Sequence, residues 1–221
     1  MTVHVNNIDI YYEKAGQGPP LLLLHGNGES HKIFHGAMGR LAEKFTVYAI
    51  DSRGHGKSSR VKGLHYADMA EDMARFIEAL ELERPRLYGF SDGGIIGLLA
   101  AINYPGLLSR LAVSGASLNP NSTSGGWLRF FRAMYWLTRG AKWKLMLEEP
   151  DFTEEQLARV DVPTLVLAGG RDMILEEHTR VIAGAVPGAR LRILPGENHM
   201  SYVFNGEKLC DIIMPFFEEG I

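Results

Sequence analysis

At 221 residues the chain has the length of one large α/β domain, and 46% apolar against 22% charged residues is ordinary globular composition. A net charge of -3 excludes the strongly basic footprint that a nucleic-acid partner calls for. The single cysteine, Cys210, excludes an internal disulfide and suits a reducing compartment.

Val3 to Tyr12 alternates partly between apolar and polar residues and turns at Asn6-Asn7, which predicts two short strands. The start, Met1-Thr2-Val3-His4-Val5, has no basic stretch followed by an apolar one, so no secretory signal is expected. Short apolar runs follow at Leu21 to Leu24, Val47 to Ile50, Leu87 to Phe90, Leu111 to Val113 and Leu165 to Leu167. Continuous apolar character is what a strand covered on both faces needs. The longest aliphatic run, Leu21 to Leu24, is far too short to span a bilayer, so a soluble cytoplasmic protein without a membrane partner is expected.

Helical patterns lie between these runs. Met69, Met73, Phe76, Ile77 and Leu80 recur at helical spacing opposite a charged face. Asp92 to Tyr104 is a nearly uncharged helix stopped by Pro105, and Leu209, Ile212, Ile213, Phe216 and Phe217 form a last amphipathic one that Pro215 should kink. This alternation predicts an α/β fold: a mostly parallel central sheet covered by helices on both faces. Residues 119–154 interrupt it. A turn-rich stretch from Asn119 to Gly126 leads into Trp127 to Leu147, which holds all three tryptophans, five basic residues and no acidic one. The expected organisation is a core of residues 1–118 and 155–221 with a helical insertion between.

Gly89-Phe90-Ser91-Asp92-Gly93 fits G-x-S-x-G, and it falls between a predicted strand and a predicted helix. A serine on that turn is pushed clear of the sheet, and the helix N-terminus favours negative charge beside it. A serine hydroxyl needs a base, and the base needs an orienting acid. In strand–turn–helix sites of this kind they follow in the order Ser, acid, His. Leu165 to Asp172 reads as a buried strand ending at an Asp, and Leu191 to Leu194 as a strand followed by a loop from Pro195 to His199. Asp172 and His199 are therefore the candidate acid and base, both at the C-terminal sheet edge where open α/β sheets bind ligands. The oxyanion of an attacked carbonyl needs two N–H donors. Backbone N–H groups of Asp92 and of Asn27, in His25-Gly26-Asn27-Gly28, are the candidates. Asp92 itself cannot replace Ser91 as nucleophile, since Phe90 would then fill a position that wants a small residue. No H-E-x-x-H, paired cysteine, Walker A or dinucleotide fingerprint is present, and the histidines are scattered, so neither metal nor cofactor is expected.

With these motifs in this order, the chain resembles the α/β-hydrolase family in its lipase/esterase-like branch with an H-G-x motif. Asp51-Ser52-Arg53-Gly54-His55-Gly56-Lys57-Ser58 is similar to the D-x-R-G-x-G-x-S turn common there after the fourth strand. The likeness covers about Val3 to Phe217 apart from the insertion, and Asp51, Arg53 and His55 read as holding that turn. Gly-Phe-Ser-Asp-Gly-Gly looks like the elbow of valacyclovirase-type amino-acid ester hydrolases. The resemblance implies a serine hydrolase acting on a small-molecule ester or thioester, with the insertion as a lid. Trp127, Phe130, Phe131 and Met134 share one helical face. They either fasten the lid to the core, line a substrate pocket (Trp127 and Phe131 above all), or form a basic amphipathic docking surface. An exposed aromatic lid would also support a homodimer. Asp92 is either a helix-start acid or a counter-ion for a substrate ammonium. C–C bond hydrolysis, perhydrolysis, or slow-turnover ligand binding on the same triad remain alternatives.

Overall fold

The computed structural model describes residues 1–219. The chain opens with β1 (Thr2–Val5) and β2 (Ile8–Ala15), joined at Asn6 and Asn7, which both take positive φ. Two such residues make a turn that matches the twist of a hairpin, and Asn tolerates that conformation better than most side chains. Then come β3 (Pro20–Leu24), α1 (His35–Leu41), β4 (Thr46–Ile50), α2 (Tyr66–Ala79), β5 (Arg86–Phe90), α3 (Asp92–Asn103) and β6 (Arg110–Ser114). After β6 stand α4 (Gly125–Thr138), α5 (Ala141–Glu148) and α6 (Glu154–Leu157). The chain closes with β7 (Thr164–Arg171), α7 (Glu176–Ala185), β8 (Arg190–Asn198), α8 (Ser201–Phe204) and α9 (Gly206–Glu218).

The strands form one eight-stranded sheet in the order β1-β2-β4-β3-β5-β6-β7-β8. Pairing is antiparallel at β1-β2 and β2-β4 and parallel across the rest. The continuous apolar runs now have their explanation. In β3, Leu22 and Leu24 enter one core with α2 and α3, while Leu21 and Leu23 enter the opposite core with α1 and α9. Each of these fully buried leucines contributes roughly 1.5–3 kcal/mol relative to exposure. On α2 the predicted stripe of Met69, Met73, Phe76 and Ile77 is buried, and α3 ends at Asn103, before Pro105 as expected.

One difference from the sequence expectation bears on the site. The last strand does not stop at Leu194: β8 continues through Pro195 and Gly196 to Asn198, with a register shift against β7 between Gly169 and Arg171. Proline is tolerated because β8 is an edge strand, where a missing N–H costs no ladder bond. Pro215 lies inside α9, which runs on to Glu218.

The segment between β6 and β7 differs in kind from the core. Phe131 is the only buried residue of α4, and Trp136 and Leu137 are 72% and 70% exposed. Its root is tied to the loop after β7: the N–H of Leu175 donates to Ser122 O at 2.8 Å, and that of Ser124 to Met173 O at 2.8 Å. Helix α6 already packs on α3 and α7.

Candidate active site

Ser91, Asp172 and His199 each follow directly on the last residue of a parallel strand, β5, β7 and β8. Parallel strands end together, so residues far apart in sequence meet at one sheet edge. Ser91 has φ 53° and ψ -113°, a conformation an L-residue holds only when its surroundings force it. The flanking glycines permit that turn. A Cβ on Gly89 would stand 2.1 Å from the Gly93 carbonyl oxygen, and one on Gly93 2.2 Å from that of Leu24.

His199 Nε2 lies 3.1 Å from Ser91 Oγ, and its Nδ1 lies 2.7 Å from Asp172 Oδ1. Asp172 Oδ1 also accepts the N–H of Ile174 at 2.9 Å, and Oδ2 that of Gly169 at 3.3 Å. With both oxygens accepting, the His199 proton belongs on Nδ1, which leaves the Nε2 lone pair facing the serine hydroxyl. The Phe90 ring packs 4.9 Å from the imidazole and limits its movement. Gly115, which the sequence did not single out, is as close: at φ +61°, its Cβ would fall 2.7 Å from His199 Cε1.

Asn27 lines the same cavity as Ser91 and Asp92 follows Ser91 in the chain, and neither backbone N–H is used in a backbone hydrogen bond outside helices and strands among the described residues. Asp92 opens α3, where the first N–H groups have no partner within the helix. Beneath this loop His25 is buried, and burial pushes it down to about 4. As a neutral ring it donates from Nδ1 to Gly26 O at 2.7 Å and accepts the Ser52 N–H at Nε2, 3.1 Å away. The Asp51 turn is held as expected: Asp51 accepts the N–H groups of His31 and Lys57, and Arg53 pairs with Asp72 at 2.6 Å.

A cavity of about 560 Å³ opens over Ser91 and His199. Trp127 and Phe131 stand in its wall, along with Phe130, Trp143 and Met146 from the same segment. These aromatics pack on one another, Trp143 lying 5.8 Å from both Phe130 and Phe131 between ring centres.

A family model of the alpha/beta hydrolase fold matches residues 19–142, more than half of the chain. The chain belongs to the α/β-hydrolase family. It is 28% identical to the human protein "Serine hydrolase BPHL" over 89% of this chain and 79% of that one. Among solved structures, an enol-lactonase from Burkholderia xenovorans superposes with a TM-score of 0.83 at 19% identity, covering 99% and 100% of the two chains. A meta-cleavage product hydrolase from Pseudomonas fluorescens does so at 0.82 and 18%, covering 100% and 98%. At such identities these two structures speak for the fold alone.

Within this α/β-hydrolase the cavity wall also carries titratable groups that no sequence motif points to. Glu29 Oε2 accepts the Gly26 N–H at 3.0 Å, and burial pushes its carboxyl up to about 7, with Asp92 adding to the rise. Lys142 faces the same space, and burial lowers its pKa. The Asp92 side chain is buried beside Ser91: Oδ1 accepts the Tyr66 hydroxyl at 2.8 Å, and Oδ2 has no partner. The Asn27 amide, close enough to favour the charge, is bonded to the Lys142 carbonyl at 3.2 Å.

Burial drives Asp92 from 3.8 up to about 6, over the opposing pull of Tyr66 and Asn27. The folded protein therefore holds its proton more tightly than the unfolded chain, and stability falls as pH rises between those values. Asp92→Asn, which cannot ionise, should accordingly be more stable than wild type by about 3 kcal/mol at pH 8, the gap closing towards pH 4. Thermal melts at the two pH values check this; a variant less stable at pH 8 would mean the carboxylate has a cationic partner.

Proposed function

We propose that the chain is a serine hydrolase cleaving a small carboxylic ester or thioester through an acyl-enzyme, without a cofactor. The observation that carries this is the continuous Asp172–His199–Ser91 hydrogen-bond chain opening into the apolar cavity. Ser91 Oγ attacks the substrate carbonyl while His199 Nε2 takes its proton, and Asp172 holds the ring and offsets the imidazolium charge. The N–H groups of Asn27 and Asp92 face the oxyanion. Collapse expels the alcohol or thiol, which leaves with the proton from Nε2. A water then attacks the acyl-serine with His199 again as base, and the acid and free Ser91 result. Kinship with the human serine hydrolase supports the reading. A cytoplasmic location is part of this proposal, on the ground that a single cysteine suits a reducing compartment; no helix among the described residues is long and apolar enough to cross a membrane.

A chromogenic acetate or butyrate ester tests the proposal. A rapid burst of chromophore followed by steady turnover is expected. A burst without turnover favours the slow ligand-binding alternative, and release no faster than in buffer overturns the hydrolase reading.

In this reading α4 and α5 form a lid whose aromatics receive the acyl or leaving group. Trp127 is 49% exposed and Phe131 only 6%, so the two separate pocket from packing. Trp127→Ala should change chain-length preference across an ester series with little change in Tm, whereas Phe131→Ala also costs roughly 3 kcal/mol of stability. Large stability losses at both positions with unchanged preference would return the aromatics to a purely anchoring role.

Asp92 gives a finer expectation. A buried carboxylate that lowers stability and leaves one oxygen unpartnered beside Ser91 fits a substrate ammonium, as the resemblance to amino-acid ester hydrolases implies. In the Asp92→Asn protein, kcat/KM should fall for an α-amino ester and hold for its deaminated analogue; equal effects on both would leave Asp92 a helix-start acid.

A further inference from the structure

Glu13 lies on β2, and His31 and His35 lie in the segment between β3 and the end of α1's first turn. His31 Nε2 is 3.0 Å from Glu13 Oε1, and His35 Nε2 is 3.2 Å from Glu13 Oε2. One donor atom from each residue can be taken so that all three lie within 4.8 Å of one another. None of the three lines the cavity over Ser91.

His31 is the informative member. It is 1% exposed, and its Nδ1 faces Asp51 Oδ1 at 2.8 Å. That carboxylate already accepts the His31 and Lys57 N–H groups, so it acts as an acceptor and fixes the proton on Nδ1. The Nε2 lone pair then points at a second carboxylate, Glu13, and Nε2 has no directed hydrogen-bond partner. A lone pair facing a carboxylate is repulsive unless a second proton or a metal cation stands between them. A carboxylate behind a histidine whose far nitrogen is free is also the arrangement that orients a metal-ligating imidazole and raises its basicity.

We propose that Glu13, His31 and His35 bind a single zinc-class divalent cation, with Asp51 orienting His31 from behind. Two imidazoles and a carboxylate are a zinc donor set, and donors about 2.0–2.2 Å from one tetrahedral ion stand roughly 3.4 Å apart; the imidazole–carboxylate separations of 3.0 and 3.2 Å are near this, and with one donor per residue all within 4.8 Å the side chains need only close on the ion. Glu13 is 36% and His35 53% exposed, which leaves the fourth position to water. The neighbouring cation is turned aside: Lys57 Nζ donates to the Tyr11 hydroxyl at 2.9 Å, and that hydroxyl donates to Glu13 Oε1 at 3.3 Å. Bound metal would clip β2 to the loop that carries Gly26 and Asn27, since Asp51 and Ser52 connect His31 to His25.

Zinc titration of the chelator-stripped, full-length protein by calorimetry tests the site. One Zn²⁺ per chain is expected, with a Tm that rises with zinc concentration. His35→Ala and Glu13→Gln alter half-exposed side chains and should fold as wild type, which circular dichroism checks. Each should weaken zinc at least 10–100-fold, the loss typical of removing even an outer-shell partner. Ser91→Ala should bind as wild type. Absence of zinc binding by wild type, which would mean that His31 simply carries two protons, overturns the proposal. So does binding that His35→Ala leaves unchanged.

Discussion

Ser91→Ala should lower kcat for an ester substrate by about 10⁶-fold, the scale of loss when a triad nucleophile is removed. What remains is roughly 10³-fold over water, from the oxyanion donors and binding. His199→Ala should lose as much, because the hydroxyl at 3.1 Å has no other base. The double variant should be no worse than either single one, since the two groups act as a unit. Asp172→Asn should lose less, about 10⁴-fold, because the acid orients the ring and does not react. Steady-state kinetics on the four proteins give the comparison. Additive losses would contradict a shared reaction step.

Gly115→Ala should damage catalysis through His199 alone. Its new methyl would meet His199 Cε1 at 2.7 Å and Nδ1 at 2.8 Å, well inside contact distance. The backbone there, at φ +61°, also disfavours an L side chain by roughly 1 kcal/mol. The imidazole must yield, since Phe90 and Asp172 hold it on other sides. Displacement on the order of 1 Å at a reacting group costs about 10²-fold. The loss should fall on kcat, with KM little changed, because Gly115 does not line the cavity. Unchanged kcat would mean that His199 is not held where proton transfer needs it.

Much of the fold is legible because burial on both faces leaves a direct trace: Leu21 to Leu24 is apolar throughout since each face of β3 meets its own helices. The elbow is equally legible, because Gly89 and Gly93 are required by local backbone approach. What escapes the sequence depends on contacts between distant segments. Pro195-Gly196 reads as a loop, yet the edge position of β8 lets the strand continue through it. Glu29 becomes a cavity residue only because the turn after β3 folds its carboxylate back onto Gly26. Gly115 matters only because His199 arrives from 84 positions further along. Likewise His31 and His35 stand at a metal-ligand spacing of four, but the third donor, Glu13, lies on β2 and reaches them only in the folded sheet.

The most direct measurement of the central claim is fluorophosphonate labelling of the native protein followed by peptide mapping. One adduct on Ser91 is expected, abolished in Ser91→Ala. Other serines near strand ends are poorly placed for it: Ser114 Oγ is fully buried 2.6 Å from the Tyr202 hydroxyl, and Ser58 Oγ donates to Asp51 O at 2.6 Å. An adduct on Ser58 or Ser114, or labelling that persists in Ser91→Ala, would contradict Ser91 as the nucleophile.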